Sequence, residues 1–149
     1  MPSTPLTEIQ RRVRTLQSAM ADNGLDAALI LQRVDLFYFS GTGQDAHLFV
    51  PVEGAPLLLV RKSFERALQE SPLDQVSAVN TLSDLKKSIE TVYPGLVKGL
   101  GMELDVLPVN NYRLYTELFP DAVISDVSPL IRETRMVKSE YEQIGRAHV

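Results

Sequence analysis

The chain has 149 residues, 44% hydrophobic and 23% charged, with a formal net charge of −4 and a sequence pI near 5.2. Cysteine is absent, which excludes disulfide scaffolds, thiolate nucleophiles and Cys-ligated metals, and the acidic balance argues against a nucleic-acid partner held through its phosphates. Apolar runs reach only about six residues, too short for a membrane span, and MPSTPLTEIQRR lacks the apolar core of a signal peptide, so a soluble, cytoplasmic single domain is expected.

Residues 1–6, with Pro2 and Pro5, read as a loose lead-in. Thr7 and Gln10 form a capping pair at the start of a helix, whose apolar stripe is Ile9, Val13, Leu16 and Met20 and whose end is Asn23-Gly24. Arg11, Arg12 and Arg14 on its other faces read as solvated. AALIL (27–31) is a strand buried on both faces. FYFSGTG (37–43) reads as an aromatic strand breaking into a glycine loop, and HLFVPV and PLLLVR as two strands joined by a turn at Glu53-Gly54-Ala55.

Ser63 to Glu70 reads as helical, stopped by Ser71-Pro72, and QVSAV (75–79) as a weak strand. Thr81 opens a helix with the stripe Leu82, Leu85, Ile89 and Val92, ended by Pro94-Gly95. GLGMEL (99–104) is a strand. Pro108 begins a helix with Tyr112, Tyr115 and Phe119 on its buried side, AVI (122–124) is a last strand, and Ser128-Pro129 starts a brief helical turn. Alternating strands and helices with one early antiparallel hairpin imply an α/β domain, a mixed central sheet with helices on both faces.

Chemistry is sparse. The two histidines, His47 and His148, form no metal-ligand pair, and no Gly-x-Ser-x-Gly elbow is present. Gly41-Thr42-Gly43 is a tight turn rather than a phosphate cradle. His47 reads first as a structural histidine, but it also ranks first as a candidate base because Asp45 could orient it. Phe37, Tyr38 and Phe39 read as packing beside a loop that could line a pocket. Glu103 and Asp105 end a strand, where capping the next helix is the simplest role. Ser139 and Glu142 form a Ser-x-x-Glu capping box, the opening of another helix close to the end of the sequence.

Arg11–Met20 followed by Gly24-Leu25-Asp26-Ala27, then Tyr38-Phe39-Ser40-Gly41, Gly101-Met102-Glu103, and finally Ile131-Arg132-Glu133-Thr134-Arg135-Met136-Val137-Lys138-Ser139 with Glu142, resemble in order and spacing the N-terminal domain of creatinase, prolidase and aminopeptidase P proteins. The resemblance covers residues 8–143. It implies a ribonuclease-H-like mixed α/β sheet preceding a pita-bread catalytic domain. In the family's peptidases that second domain binds two divalent metal ions, manganese, cobalt or zinc, which activate water for attack on the bond before proline. The resemblance therefore implies no cofactor and no catalytic residue in this chain. It implies as partners the missing catalytic domain, a second copy in a homodimer, and proline-containing peptides as the parent's substrate. Residues 1–131 would be the N-terminal domain and 132–143 the linker and first turn of the next domain. Residues 144–149 (IGRAHV), which lack a continuing apolar repeat, would be a non-native tail, leaving His47 as the one genuine histidine. Tyr38, Gln44, Asp45 and His47 are the candidates to face the active-site entrance. The alternatives are a stand-alone dimerisation or small-ligand-binding module and, with least support, a small enzyme built on Asp45 and His47.

Overall fold

A computed structural model describes residues 3–137 and 139–147; Lys138 and His148, singled out in the sequence, lie outside the described residues. The chain forms a six-stranded sheet in the order β4-β3-β2-β1-β5-β6. The strands are β1 (Ala27–Ile30), β2 (Ala46–Pro51), β3 (Leu57–Val60), β4 (Val76–Ala78), β5 (Gly99–Met102) and β6 (Val123–Asp126). β2 pairs antiparallel with both β1 and β3, whereas β1–β5, β3–β4 and β5–β6 are parallel. The sheet is thus mixed, and its central strands are fully buried, which is why they read as continuous apolar runs rather than alternating ones.

Alternation still sorts side chains between two cores. Ala28, Ile30, Leu48, Val50, Leu58 and Val60 point to one face. There they meet Ile9, Val13, Leu16 and Met20 of α1 (Leu6–Asp22), Leu36 and Phe39 of α2 (Arg33–Ser40), Ala67 of α3 (Phe64–Glu70), and Leu130 and Ile131 of α6 (Ser128–Met136). Leu29, Phe49, Leu57, Leu59, Leu100 and Met102 point to the other, covered by Leu85 and Ile89 of α4 (Leu82–Val92) and by Tyr115 of α5 (Val109–Leu118), with Phe119 just beyond it. Each such large side chain, removed from water, contributes roughly 2 kcal/mol before conformational entropy is charged against it. Helices therefore sit on both faces, as the sequence implied. β5 fits between them because Gly101 has no side chain: a Cβ there would lie 2.8 Å from Val127 Cβ.

Four expectations change. The stretch 37–43 is not a strand: residues 33–40 are α2, capped by Gln32, whose side-chain oxygen accepts from Asp35 N at 2.8 Å. Gly41, at φ +84°, terminates it in the left-handed conformation that glycine adopts without penalty. Helical spacing splits the aromatic run, so Phe39 is buried, Tyr38 is half-buried and Phe37 is exposed. Thr7 is not the cap of α1; the helix begins earlier, with the Pro5 carbonyl accepting from Glu8 N and Ile9 N, both at 3.1 Å. Tyr112 is exposed while Tyr115 and Phe119 are buried. α6 is a nine-residue helix rather than a brief turn. Beyond it, the α7 backbone is helical over Glu140–Ala147.

Candidate functional site

α2 delivers the chain into the loop that carries Gln44 and Asp45. Behind Gly41 there is no room, since a Cβ would meet Pro72 Cδ at 3.2 Å and the Glu70 carbonyl at 3.3 Å. Ser71 Oγ donates to the Ser40 carbonyl at 2.5 Å. The Glu70 carboxylate then gathers the loop, accepting from Thr42 Oγ1 at 2.6 Å and from Gln44 Nε2 at 3.1 Å. Those two bonds, Thr42 first, hold the Glu70 carboxyl below its ordinary value. The Asp45 carbonyl accepts from Arg61 N at 2.9 Å and joins the loop to the end of β3.

The four entrance candidates do not converge. Gln44 and Asp45 share this loop. His47 instead lies inside β2, 4% exposed, with its Nε2 2.6 Å from the Tyr115 hydroxyl of α5. Among the described residues its Nδ1 has no hydrogen-bond partner, so Asp45 does not orient it through a bond. Burial pulls the His47 ring down to about 4 and pushes the Tyr115 phenol up to about 12. The imidazole is therefore neutral near pH 7, which suits a packed interior. Tyr38 packs with the opposite core, across the sheet from His47.

Tyr38 belongs to a second constellation. Arg12, read from the sequence as solvated, is 6% exposed. Its Nε donates to Glu8 Oε2 at 3.0 Å and its Nη1 to the Tyr38 carbonyl at 2.9 Å. Its guanidinium carbon lies 4.2 Å from the centre of the Tyr38 ring, a cation–π stack. Glu142 Oε1 lies 3.4 Å from Arg12 Nη2 and 3.3 Å from Arg11 Nη2. Ser139 Oγ donates to Glu8 Oε2 at 2.9 Å and accepts from Glu142 N at 3.1 Å. Burial alone would raise the Glu8 carboxyl, but the hydrogen bonds from Arg11, Ser139 and Arg12 outweigh it and hold the group at about 2. An open cleft of about 690 Å³ adjoins this network, lined by Arg12, Tyr38, Arg132, Arg135, Met136 and Glu142.

A third polar centre sits at the end of β5. Glu103, 3% exposed, does not cap the following helix with its side chain. Its Oε1 accepts from Leu31 N at 2.7 Å and Gln32 N at 3.0 Å, tying the end of β1 to the approach to α2. Burial, and after it the Asp35 carboxylate facing it, push Glu103 up to about 8, so it is a neutral acid near pH 7. As an acid it carries a proton to donate toward Asp35; as a carboxylate its Oε2 would be buried with no donor among the described residues. Asp105 accepts from Ser128 Oγ at 2.6 Å and pairs with Arg132 at 3.2 Å, pinning the start of α6.

Glu8, Arg12, Glu70 and the buried state of Glu103 escaped the sequence reading. Only Ser139 and Glu142 signalled the network around Glu8 and Arg12, as a capping box that does double duty. Among the described residues no three His, Asp or Glu side chains are grouped to hold a metal ion. Nor is any helix among them long and apolar enough to cross a membrane.

The creatinase/prolidase N-terminal domain model matches residues 12–137. An Xaa-Pro dipeptidase of Pyrococcus horikoshii is 29% identical over 139 residues, covering 90% of this chain but 37% of that protein. The crystal structure of the prolidase from Pyrococcus horikoshii OT3 superposes with a TM-score of 0.75 at 26% identity, over 89% of this chain and 37% of that one. The creatinase/prolidase N-terminal domain of an X-Pro dipeptidase from Streptococcus pyogenes shares the fold, with a TM-score of 0.67 at 21% identity, over 82% of this chain and 97% of that one. The chain thus spans little more than a third of the Pyrococcus relative's length. On the family match and the shared six-stranded architecture, the chain belongs to the creatinase/prolidase N-terminal domain family.

Proposed function

We propose that the chain is the non-catalytic N-terminal domain of an Xaa-Pro peptidase, helping to form a homodimer and to shape the entrance of an active site carried by a following metal-dependent domain. The observation that supports this most is the pairing of a family match over residues 12–137 with 37% coverage of an Xaa-Pro dipeptidase. Residues 1–131 form the domain proper and 132–143 the connection to the following domain, the boundary between them falling within α6 (Ser128–Met136).

In this reading the loop from Gly41 to Asp45 faces the entrance. The Glu70 carboxylate gathers it through Thr42 and Gln44, Gln44 and Asp45 present polar groups from it, and Tyr38 on α2 and His47 on β2 flank it in the chain. The rigid seat under Gly41 suits such a role, since a binding loop serves best on a fixed scaffold. The test is hydrolysis of Xaa-Pro dipeptides with manganese, comparing the pure chain with the complete protein. The complete protein should cleave and the isolated chain should not. Metal-dependent cleavage by the isolated chain would overturn the assignment.

A further inference from the structure

We propose that Glu8 and Arg12 form a latch whose occupant is the connecting segment 139–142, so that this domain holds the first turn of α7 and thereby fixes how the following domain is carried. Carriage of a following domain rests on the reading of the chain as the front of a larger peptidase; the latch itself does not.

The charges argue for it. On the face of α1, two arginines, Arg11 and Arg12, share one carboxylate, Glu8. The Arg12 side chain is only 8% exposed, so a guanidinium there without a full complement of acceptors is costly. Glu142 supplies the second carboxylate and balances the group. It reaches both arginines with one oxygen, and the same Oε1 lies 3.5 Å from the Tyr38 hydroxyl. Ser139 adds geometry to charge. One hydroxyl simultaneously caps α7, accepting from Glu142 N, and donates to Glu8, so the residue that caps the helix is itself tied to α1. Contacts spanning 131 residues of sequence converge on the Glu8 carboxylate, which accepts from Ser139, and on the forked guanidinium of Arg11, which donates to Glu142. The Tyr38 ring, stacked on Arg12 and 5.6 Å from the Arg135 guanidinium, packs the arginines against α2.

The experiment is amide hydrogen exchange on this chain and on Glu142→Ala, with Arg12→Met as the second variant. Glu142→Ala leaves the Glu8–Arg12 pair inside α1 and so spares the domain core. The expected result is that protection of the Glu142 and Gln143 amides falls roughly 10-fold or more, the scale of a lost charge-assisted hydrogen bond, while amides of β1 and β2 are unchanged. Unchanged protection at both amides, or a loss shared equally by the sheet, would overturn the latch. In the complete protein, Glu142→Ala should also lower kcat/KM with both domains folded. A wild-type protein without peptidase activity would defeat the functional reading while leaving the exchange result standing.

Discussion

Replacing Glu103 with glutamine isolates the effect of one buried proton. Glu103 ordinarily titrates at 4.5 and does so at about 8 in the folded chain, so between those values the native state holds a proton that the unfolded chain has lost. Stability must therefore fall as pH rises through that window, by about 1.4 kcal/mol per pH unit for one whole proton. His47 acts in the opposite sense, because its folded value of about 4 lies below its ordinary 6.5. There the unfolded chain binds the extra proton, and stability rises with pH. The two slopes oppose each other from pH 4.5 to 6.5, and from 6.5 to 8 Glu103 acts alone. Over that last interval the wild-type chain should lose about 2 kcal/mol, equivalent to roughly 4–8 °C in Tm for a chain of this size. In Glu103→Gln the new side chain keeps an oxygen for Leu31 N and Gln32 N and an amide N–H for Asp35, but cannot titrate. The variant's stability should be flat across the same interval. Urea titrations followed by circular dichroism from pH 5 to 9 measure both profiles. Parallel declines in the two proteins would refute the assignment of the proton to Glu103.

Two further outcomes follow from the same geometry. His47→Gln, which can still bond the Tyr115 hydroxyl, removes the opposing slope, so its stability should fall with pH already between 4.5 and 6.5, where the wild type is nearly level; the same titrations read it. Gly41→Ala must hold alanine at φ +84° with its Cβ 3.2 Å from Pro72 Cδ, and should lose about 1–2 kcal/mol, seen as a lower urea midpoint with an unchanged m-value.

Much of this architecture was legible because the central strands are covered on both faces. AALIL, HLFVPV and PLLLVR could satisfy no helical stripe, and Gly54 between the last two marked their turn. The helix α2 was misread because three consecutive aromatics satisfy a strand as easily as a helix. The deciding feature, the Gln32 side chain capping Asp35 N, is not among the usual serine, threonine or aspartate signals. Arg12 was misread for a different reason. Its neighbours in sequence, Arg11 and Arg14, are consistent with a wet face, and the partner that buries it lies far away at Glu142. The same holds for Glu103: its position after β5 was visible, but its neutral state depends on Asp35 from another element. Sequence periodicity reports which face is apolar; it does not report which charges meet across the fold.

The most direct measurement is the coding DNA read independently through Gln143 and beyond. An open frame continuing into a second domain with clustered Asp, His and Glu residues is the expected result, and would make this chain the N-terminal domain of an Xaa-Pro peptidase. A genuine stop codon after Val149 would contradict that account.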